Sequence, residues 1–595
     1  MPEAWTPQHY NPETLVFRLM PASNAFRRLV IPLAIVLLAL ALRGAWLTAD
    51  PPTTDQAGIV WHDEGAWTHN ARNKALWDTW RTDGWNPLFI APVFTALEYA
   101  AFEVAGVGTW QARIVPVASG VLAVIALMMG LQAVAGRRAS LLGGLLLATS
   151  FTFVMWNRAA LMESTMTAFM TMSWAAYATS AQRRWLGVAA GLFAVAAFFT
   201  KAAAAFFIAA LTAELVLRFW QGRHHPTTPP THQPTNPWWP FVGLAVGAVA
   251  VFALFIWPHW TEFQFYNWEM TVTRKPTYGI KDFIQRATWL PLVHGVFSRM
   301  WLGMVLAAVG ALAVIRRWPE ASPAARLAVL WLAIGLLELV VHDAGNERRY
   351  VMFVPALIAL ALSSEVSFET ERRKTHLRAQ WLVAAAVVPL AYLVAGSLLR
   401  LVWLDDVLAG EFSRTVRVSA AIAGAAGLAA WSFRDQLSAW LEAWRPSNAL
   451  LATVIVVTVG TDLTLYGRWA SARTYYNVEA SRLLGGALPP GTLVHGKLAN
   501  GLAFENRIRP IFVGRGFGNY ADRLSRDDAR YILSYTEADG EPDAGYEGDV
   551  ILDVLAQYPQ RQIVLEFDVQ ETPGRDRAAL IDKFPDGPDP RARDK

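Results

Sequence analysis

Residues 29–65 read LVIPLAIVLLALALRGAWLTADPPTTDQAGIVWHDEG, and the change of character inside this stretch decides what kind of protein the chain forms. Residues 29–48 are an apolar run long enough to cross a bilayer once, and longer than the core of a signal peptide. The stretch then turns polar and ends on Trp61-His62-Asp63-Glu64-Gly65, which holds a histidine and two adjacent carboxylates. We therefore predict an uncleaved first transmembrane helix, followed by an acidic pair in a loop that has left the bilayer.

The composition extends this interpretation to the whole chain. Of the 595 residues, 54% are hydrophobic and only 17% are charged, which is typical of a polytopic membrane protein surrounded by membrane lipids. The formal net charge is +4, and the basic residues are spread over short loops, which argues against nucleic acid as a partner. The chain has no cysteine, so disulfides, thiolate nucleophiles and cysteine-based metal sites are excluded.

The order of apolar runs and charged loops predicts a topology. Thirteen runs have roughly membrane-spanning length: 29–48, 114–135, 140–157, 163–180, 186–200, 202–219, 238–257, 297–315, 325–342, 350–364, 380–404, 416–433 and 448–466. With the N-terminus in the cytoplasm, the loops rich in Lys and Arg, such as Arg137-Arg138, all fall inside, as the positive-inside rule requires. This topology describes a multi-pass protein of the plasma or inner membrane, with Asp63 and Glu64 on the extracytoplasmic side. Because counting the apolar residues 87–106 as a span would break this agreement, we expect them to form an interfacial helix, preceded by an amphipathic surface helix at 66–84.

Composition also predicts the domain boundaries. The expected segments are a cytoplasmic N-terminal segment, 1–28; a transmembrane domain, 29–468, with a first outer loop at 49–112, a cytoplasmic Pro/Thr linker at 224–237 and an outer loop at 258–296; an extracytoplasmic α/β domain, 469–585; and a disordered tail, 586–595. In the α/β domain we expect strands at 492–495, 508–513, 531–535 and 563–569, and helices at 478–484, 498–504 and 550–558.

An ordered set of short motifs accompanies this topology on the predicted outer side. The motifs are Asp63-Glu64, Asn86-Pro87-Leu88, Arg113-Ile114-Val115-Pro116, Arg158 with Glu163 five residues later, Phe199-Thr200-Lys201, and Asn346-Glu347-Arg348-Arg349-Tyr350 followed by Pro355. Together they resemble the C-type (GT-C) glycosyltransferases that use polyprenyl-phosphate sugars, specifically the protein O-mannosyltransferase and lipid A aminoarabinose transferase superfamily. The chain departs from that pattern in three places: one proline stands for two, Glu163 stands for the commoner Asp, and the Gly after Lys201 is missing.

The resemblance implies a fold and an activity. The fold would be a mainly α polytopic membrane protein with about 13 transmembrane helices, GT-C-like, and a C-terminal extracytoplasmic α/β domain. The activity would be transfer of a sugar, with inversion, from a polyprenyl-phosphate donor to an extracytoplasmic protein, lipid or glycan. Such proteins serve protein glycosylation and the cell envelope.

The chemistry needs a base for the acceptor and cations for the departing phosphate. We expect Asp63 as the base, with Glu64 as the second choice and Glu163 as a further catalytic carboxylate. Arg113 and Lys201 are the leading phosphate contacts, and the other candidates are Arg158, Arg348, Arg349 and Arg274.

Each assignment has a structural alternative. One carboxylate of the acidic pair could stabilise a helix N-terminus, and Arg113 and Lys201 could extend from span ends towards the interface. Arg158 could pair with Glu163. No cofactor is required by the sequence, although a divalent metal bound by His62, the acidic pair and Glu163 is a further hypothesis.

Two other classes of protein compete with the glycosyltransferase. A multi-span transporter or flippase of lipid-linked sugars would also have charges at span ends, but such proteins tend to carry an internal repeat and charges near the midplane. Alternatively, the membrane part could anchor a binding or sensory tail, for which thirteen spans are excessive.

Overall fold

The structure is a computed structural model that describes residues 22–51, 61–181, 183–224, 238–273, 301–342, 347–367, 387–392, 394–396, 398–399, 402–403, 413–443, 448–514, 517–536, 549–571 and 574–587. The helices are α1 Ala22–Gly44, α2 Trp61–Trp77, α3 Pro92–Ala105, α4 Thr109–Val134, α5 Gly136–Thr149, α6 Phe151–Trp156, α7 Met162–Thr179, α8 Arg184–Thr200, α9 Ala205–His224, α10 Trp238–Val251, α11 Trp260–Gln264, α12 Trp301–Arg316, α13 Pro323–His342, α14 Val354–Ser367, α15 Ser413–Ser432, α16 Arg434–Ala443, α17 Asn448–Ser471, α18 Tyr476–Ala487, α19 Lys497–Gly501 and α20 Asp549–Leu555. The chain is mainly helical, as predicted.

The helices confirm a membrane protein but not the number of spans. Within the described ranges, three helical stretches are long and apolar enough to cross a membrane: Thr109–Val134, Ala202–Trp220 and Trp238–Glu269. Leu29–Gly44 and Arg184–Thr200 are shorter apolar helices. The count of thirteen spans therefore stays a prediction.

The outer loop predicted to begin at residue 258 needs correction. The helix that starts at Trp238 continues past Pro258 in π and 3-10 turns as far as Thr273. The proline is tolerated because it stands in the first turn of a new 3-10 segment, where its missing N–H has no partner to lose. Arg274 and the remainder of that predicted loop lie outside the described residues.

Close helix packing in the membrane domain depends on glycines. A Cβ atom added at Gly191 of α8 would lie 2.2 Å from the carbonyl oxygen of Pro240, and one added at Gly243 of α10 would lie 2.0 Å from that of Val188. The two backbones therefore touch, in the manner of small-residue interfaces between membrane helices. This contact aligns the helix whose C-terminal end carries Lys201.

The C-terminal domain is built on a mixed five-stranded sheet. Its strands are β1 Leu493–His495, β2 Arg509–Ile511, β5 Tyr531–Tyr535, β6 Gln562–Glu571 and β7 Gly574–Asp582, in the order β2-β1-β5-β7-β6, and β3 Val513–Gly514 and β4 Phe517–Gly518 form a separate ribbon. The pairs β1–β2 and β1–β5 are parallel, whereas β7 runs antiparallel to β5 and β6. All four predicted strands are present. β7 was missed because the polar residues Arg575, Asp576 and Arg577 are followed by the continuous apolar run 578–581, which does not show the alternation of a half-buried strand.

The C-terminal domain is docked on α2, which corrects the prediction of a surface helix there. Arg72 of α2 is 1% exposed and donates to the carbonyl oxygens of Ala503 (3.0 Å) and Ile508 (3.0 Å). The indole of Trp61 donates to the carbonyl oxygen of Gln570 (3.0 Å). The polar residues of α2 are thus covered by protein. The C-terminal domain supplies acceptors for Arg72, and the segment that follows α2 supplies partners for Asn70 and Asn73.

Candidate active site

Five helix ends converge where the membrane domain meets the C-terminal domain. Asp63 lies in the first turn of α2, Glu163 in the first turn of α7, Lys201 at the C-terminal end of α8, and Arg348 in the 3-10 helix Glu347–Phe353. Lys497 opens α19. The two carboxylates lie where the backbone N–H groups of helix N-termini favour negative charge.

Ion pairs join these side chains into one group, which we call the cation–carboxylate cluster: Asp63, Glu163, Lys201 and Arg348. Arg348 bridges the two acids, since its Nη1 donates to Oδ2 of Asp63 and its Nε lies 3.2 Å from Oε1 of Glu163. Lys201 donates to the same oxygen of Glu163. The sequence predicted all four residues for the site.

The two carboxylates differ in how accessible they are. The side chain of Glu163 is 3% exposed, whereas that of Asp63 is 24% exposed and is the most accessible of the cluster. A group that takes a proton from an incoming acceptor must be reachable by it. Within the cluster this condition favours Asp63.

Nearby positive charges keep Asp63 ionised. Burial by itself would raise the pKa of Asp63, but the positive charges of Arg348, Lys497 and Lys201 outweigh it and hold the pKa below its ordinary value. Burial lowers the pKa of Lys201 to about 8. The negative charge of Glu163 opposes this shift, whereas the positive charges of Arg349 and Arg348 add to it. At neutral pH the site therefore presents an ionised carboxylate among cations.

Glu64 and Arg113, both predicted for the site, form a separate buried pair. Arg113 donates to both carboxylate oxygens of Glu64 (2.8 and 2.7 Å), and the two side chains are 2% and 3% exposed. Arg113 also donates to the carbonyl oxygens of Leu47 and Ala49, and Glu64 accepts from the backbone N–H of Ala160 (2.7 Å). This geometry describes a brace between α2, α4 and the segment before α7, and it favours Asp63 over Glu64 as the base.

The remaining predicted cations have different positions. Arg158 does not pair with Glu163: it donates to the carbonyl oxygens of Leu42, Arg43 and Trp46, and its guanidinium lies 4.4 Å from the ring centre of Trp469. It thereby ties the end of α1 to α17. Arg349 is the neighbour of Arg348 and is close enough for its charge to act on Lys201. Arg274 lies outside the described residues.

The residues around His62 bear on the hypothesis of a metal site. His62 is fully buried, and its Nε2 is hydrogen-bonded to the hydroxyl of Tyr535 (2.8 Å) in the C-terminal domain. Across the described part of the chain, no three His, Asp or Glu side chains come together in a way that could hold a metal ion. The described arrangement of His62 is thus that of a contact between domains.

Sequence reasoning missed two charged residues, one at the cluster and one beside Glu64. Lys497 comes from the C-terminal domain, and nothing in its local sequence distinguishes it from a surface lysine. Glu98 of α3 is fully buried beside Glu64. A carboxylate in the middle of the apolar segment 87–106 is the signal that could have drawn attention to Glu98.

Replacing Glu98 with glutamine is expected to stabilise the protein at alkaline pH. Neither carboxyl oxygen has a hydrogen-bond partner among the described residues, and burial together with the charge of Glu64 raises the pKa of Glu98 well above its ordinary value. The unfolded chain releases this proton above about pH 4.3 while the folded protein keeps it, so stability falls by about 1.4 kcal/mol per pH unit until the folded pKa is reached. Thermal unfolding in detergent at pH 5 and pH 8 measures the effect.

The matched control for this prediction is Glu103→Gln, an exposed position on the same helix. We expect Glu98→Gln to raise the melting temperature at pH 8 more than at pH 5, and Glu103→Gln to change it equally little at both. An unchanged pH dependence in Glu98→Gln would contradict the assignment of a neutral Glu98.

Comparison with known proteins supports the class of protein that this architecture defines. The structure resembles that of ArnT from Cupriavidus metallidurans bound to undecaprenyl phosphate, with a TM-score of 0.53 at 18% identity, covering 96% of this chain and 100% of that one. ArnT of the same organism in the apo state gives a TM-score of 0.51 at 16% identity, with the same coverage. At such identities the likeness shows the fold. No curated protein sequence matches the chain significantly.

A helical membrane domain, capped by a mixed-sheet domain and carrying a cation–carboxylate cluster at its helix ends, defines an integral-membrane transferase of the GT-C fold. Residues 90–257 match the family model described as dolichyl-phosphate-mannose-protein mannosyltransferase. This match covers 168 of the 595 residues, and together with the fold it agrees with the GT-C glycosyltransferase family predicted from the sequence. The family predicted from the sequence is confirmed, and with it the assignment as an enzyme.

Proposed function

We propose that the protein transfers a sugar from a polyprenyl phosphate to an extracytoplasmic acceptor, with inversion, and that Asp63 is the base. The observation that carries this proposal is the accessible, ionised carboxylate of Asp63 bound to a cation, Arg348, that also reaches Glu163. The ArnT structure with undecaprenyl phosphate supports a donor of this lipid class.

The proposed step is a single displacement. Asp63 takes the proton of an acceptor hydroxyl or amine as its oxygen or nitrogen attacks the anomeric carbon from the face opposite the phosphate. The bond from that carbon to the phosphate oxygen breaks, and the polyprenyl phosphate leaves with the electron pair. Arg348 and Lys201, with Arg349 beside them, would stabilise the charge that grows on the phosphate, and their burial strengthens the effect.

A phosphate in this site would compete with the carboxylates for their cations. Arg348 is shared by Asp63 and Glu163 in the described state. An arriving phosphate would therefore draw Arg348 and Lys201 towards itself. The ion pair between Arg348 and Asp63 would weaken, and the carboxylate of Asp63 would become available to accept the proton of the acceptor. Glu163 would then serve to hold the two cations in place between turnovers.

The described contacts of Glu214 give no support to the transport alternative. Glu214, one of the few charges away from a span end, is bound by Arg326 at 2.8 Å, and both side chains are buried. A charge that is permanently neutralised by its neighbour is a structural brace and not a step on a substrate path.

The test is sugar transfer in proteoliposomes supplied in turn with polyprenyl-phosphate mannose, glucose, aminoarabinose and N-acetylglucosamine. We expect one donor to release free polyprenyl phosphate in step with a new glycosidic bond, and the donor KM to rise in Arg348→Gln. Movement of an intact donor across the bilayer without release of lipid phosphate would favour a flippase instead.

We also propose that Asp63 and the C-terminal domain face away from the cytoplasm, in agreement with the positive-inside distribution of arginine. The chain has no cysteine, so Asp553→Cys introduces a single thiol at a half-exposed position of the C-terminal domain. In intact cells we expect a membrane-impermeant maleimide to label this thiol, and Arg137→Cys, in a predicted cytoplasmic loop, to react only after lysis. The reverse pattern would overturn the orientation.

A further inference from the structure

Lys497 reaches the candidate base from the opposite side to Arg348. Its Nζ lies 4.0 Å from Oδ1 of Asp63, whereas Arg348 binds Oδ2. The Lys497 side chain is 18% exposed, so most of it is enclosed by the protein. The two oxygens of one carboxylate therefore face two cations, one from the membrane domain and one from the C-terminal domain.

The position of Lys497 is fixed by tight docking of α19 on α2. A Cβ atom added at Gly65 would lie 1.8 Å from the carbonyl oxygen of Asn500, and one added at Gly501 would lie 2.3 Å from the ring of Trp61. Asn500 is also hydrogen-bonded to His69 (3.0 Å) in the buried interface. Because the two backbones approach this closely and a buried hydrogen bond joins them, α19 places Lys497 at the N-terminal turn of α2.

Lys497 supplies a positive charge beside Asp63 that does not depend on Arg348 or Lys201. Asp63 and Glu163 face Lys201, Arg348 and Lys497. When a donor phosphate draws Arg348 and Lys201 away, Lys497 is the cation that remains on the other oxygen of Asp63. Without it, the carboxylate would lose both its orientation and its nearest compensating charge.

We propose that Lys497 is a positioning residue for Asp63, so that the C-terminal domain completes the catalytic centre and is not an appendage to it. This inference rests on the proposed function of Asp63 as base. It assigns to the domain a part in the chemical step, separate from any recognition of the acceptor.

The kinetic test compares Lys497→Met with Lys497→Arg. Methionine keeps roughly the length of the lysine side chain but removes its charge, whereas arginine keeps the charge. For Lys497→Met we expect kcat to fall about tenfold or more, as for a misplaced reacting group, and the donor KM to change less than about twofold. The acid limb of the pH profile should move to higher pH by about one unit, because removal of a cation raises the pKa of the carboxylate. Lys497→Arg should restore most of kcat.

A double-mutant cycle separates action through Asp63 from a general effect. In the Asp63→Asn background, Lys497→Met should leave the residual rate unchanged. Two effects that multiply would overturn the inference. So would a large rise in donor KM with an unmoved acid limb, since Lys497 would then contact the phosphate and not the base.

A cross-linking measurement is independent of turnover. The Cys-free chain allows Asp63→Cys and Lys497→Cys to be joined by a short bis-maleimide. The control pairs Asp63→Cys with Asp553→Cys: Asp553 lies on α20, which packs with Ile532 on the face of the sheet opposite to the one that meets Trp61. We expect a cross-link in the first pair only. Cross-linking in the first pair, with no turnover of the native chain on any donor, would refute the proposed function and leave the contact standing. Turnover of the native chain without cross-linking in the first pair would refute the role of Lys497.

Discussion

Asp63→Asn is expected to lower sugar transfer by about 10²–10⁴-fold, the usual contribution of a positioned general base. Asparagine keeps the shape of the side chain but cannot accept the proton of the acceptor. The donor should still bind, because Arg348 and Lys201 remain and lose a competing carboxylate. Initial rates and donor KM in proteoliposomes measure both effects.

The matched control is Asp78→Asn, the same chemical change just beyond the end of α2 at a side chain that is 93% exposed. It should leave turnover within about twofold of the native rate, as expected for a surface ion pair. If Asp63→Asn folds normally and keeps full activity, the base must be sought at Glu163. In the native enzyme, activity should persist to unusually low pH, because a base with a depressed pKa stays ionised until the pH falls through that value.

Arg113→Met is expected to cost about 3–5 kcal/mol of stability, since it leaves the carboxylate of Glu64 buried without its cation. Among the described residues, the backbone N–H of Ala160 would be the one donor left to Glu64. The loss should appear as a large fall in melting temperature and in the yield of folded protein from membranes.

The double variant Glu64→Gln/Arg113→Met should recover much of this loss, because both buried charges are then absent. Arg482→Met is the control: its side chain is 64% exposed and pairs with Glu505 at 3.5 Å, so removal should cost about 1 kcal/mol or less. If Arg113→Met were as stable as the native protein but bound the donor weakly, Arg113 would be a phosphate contact after all.

Local patterns in the sequence were sufficient to predict the class of protein and much of the candidate site. Hydropathy depends on short segments, so the apolar helices and the strand Tyr531–Tyr535 could be placed from the sequence alone. The predicted topology also places the charges at the ends of apolar runs on one side of the membrane. The sequence therefore predicts Asp63, Glu163, Lys201 and Arg348 as members of one site.

Only the tertiary structure decided which charges meet. Asp63 and Glu64 are adjacent in sequence, but successive helical residues point in different directions, so one faces Arg348 and the other faces Arg113. Likewise, the sequence around Arg72 is that of a solvent-exposed helix, and only the folded structure shows that carbonyl groups of the C-terminal domain bind its guanidinium. Lys497 lies more than four hundred residues after Asp63 in the sequence. Local sequence patterns cannot predict a contact between residues that are so far apart in the chain. The sequence by itself determined a membrane glycosyltransferase with its carboxylates and cations at helix ends, whereas packing between distant segments determined which carboxylate is braced and which is accessible.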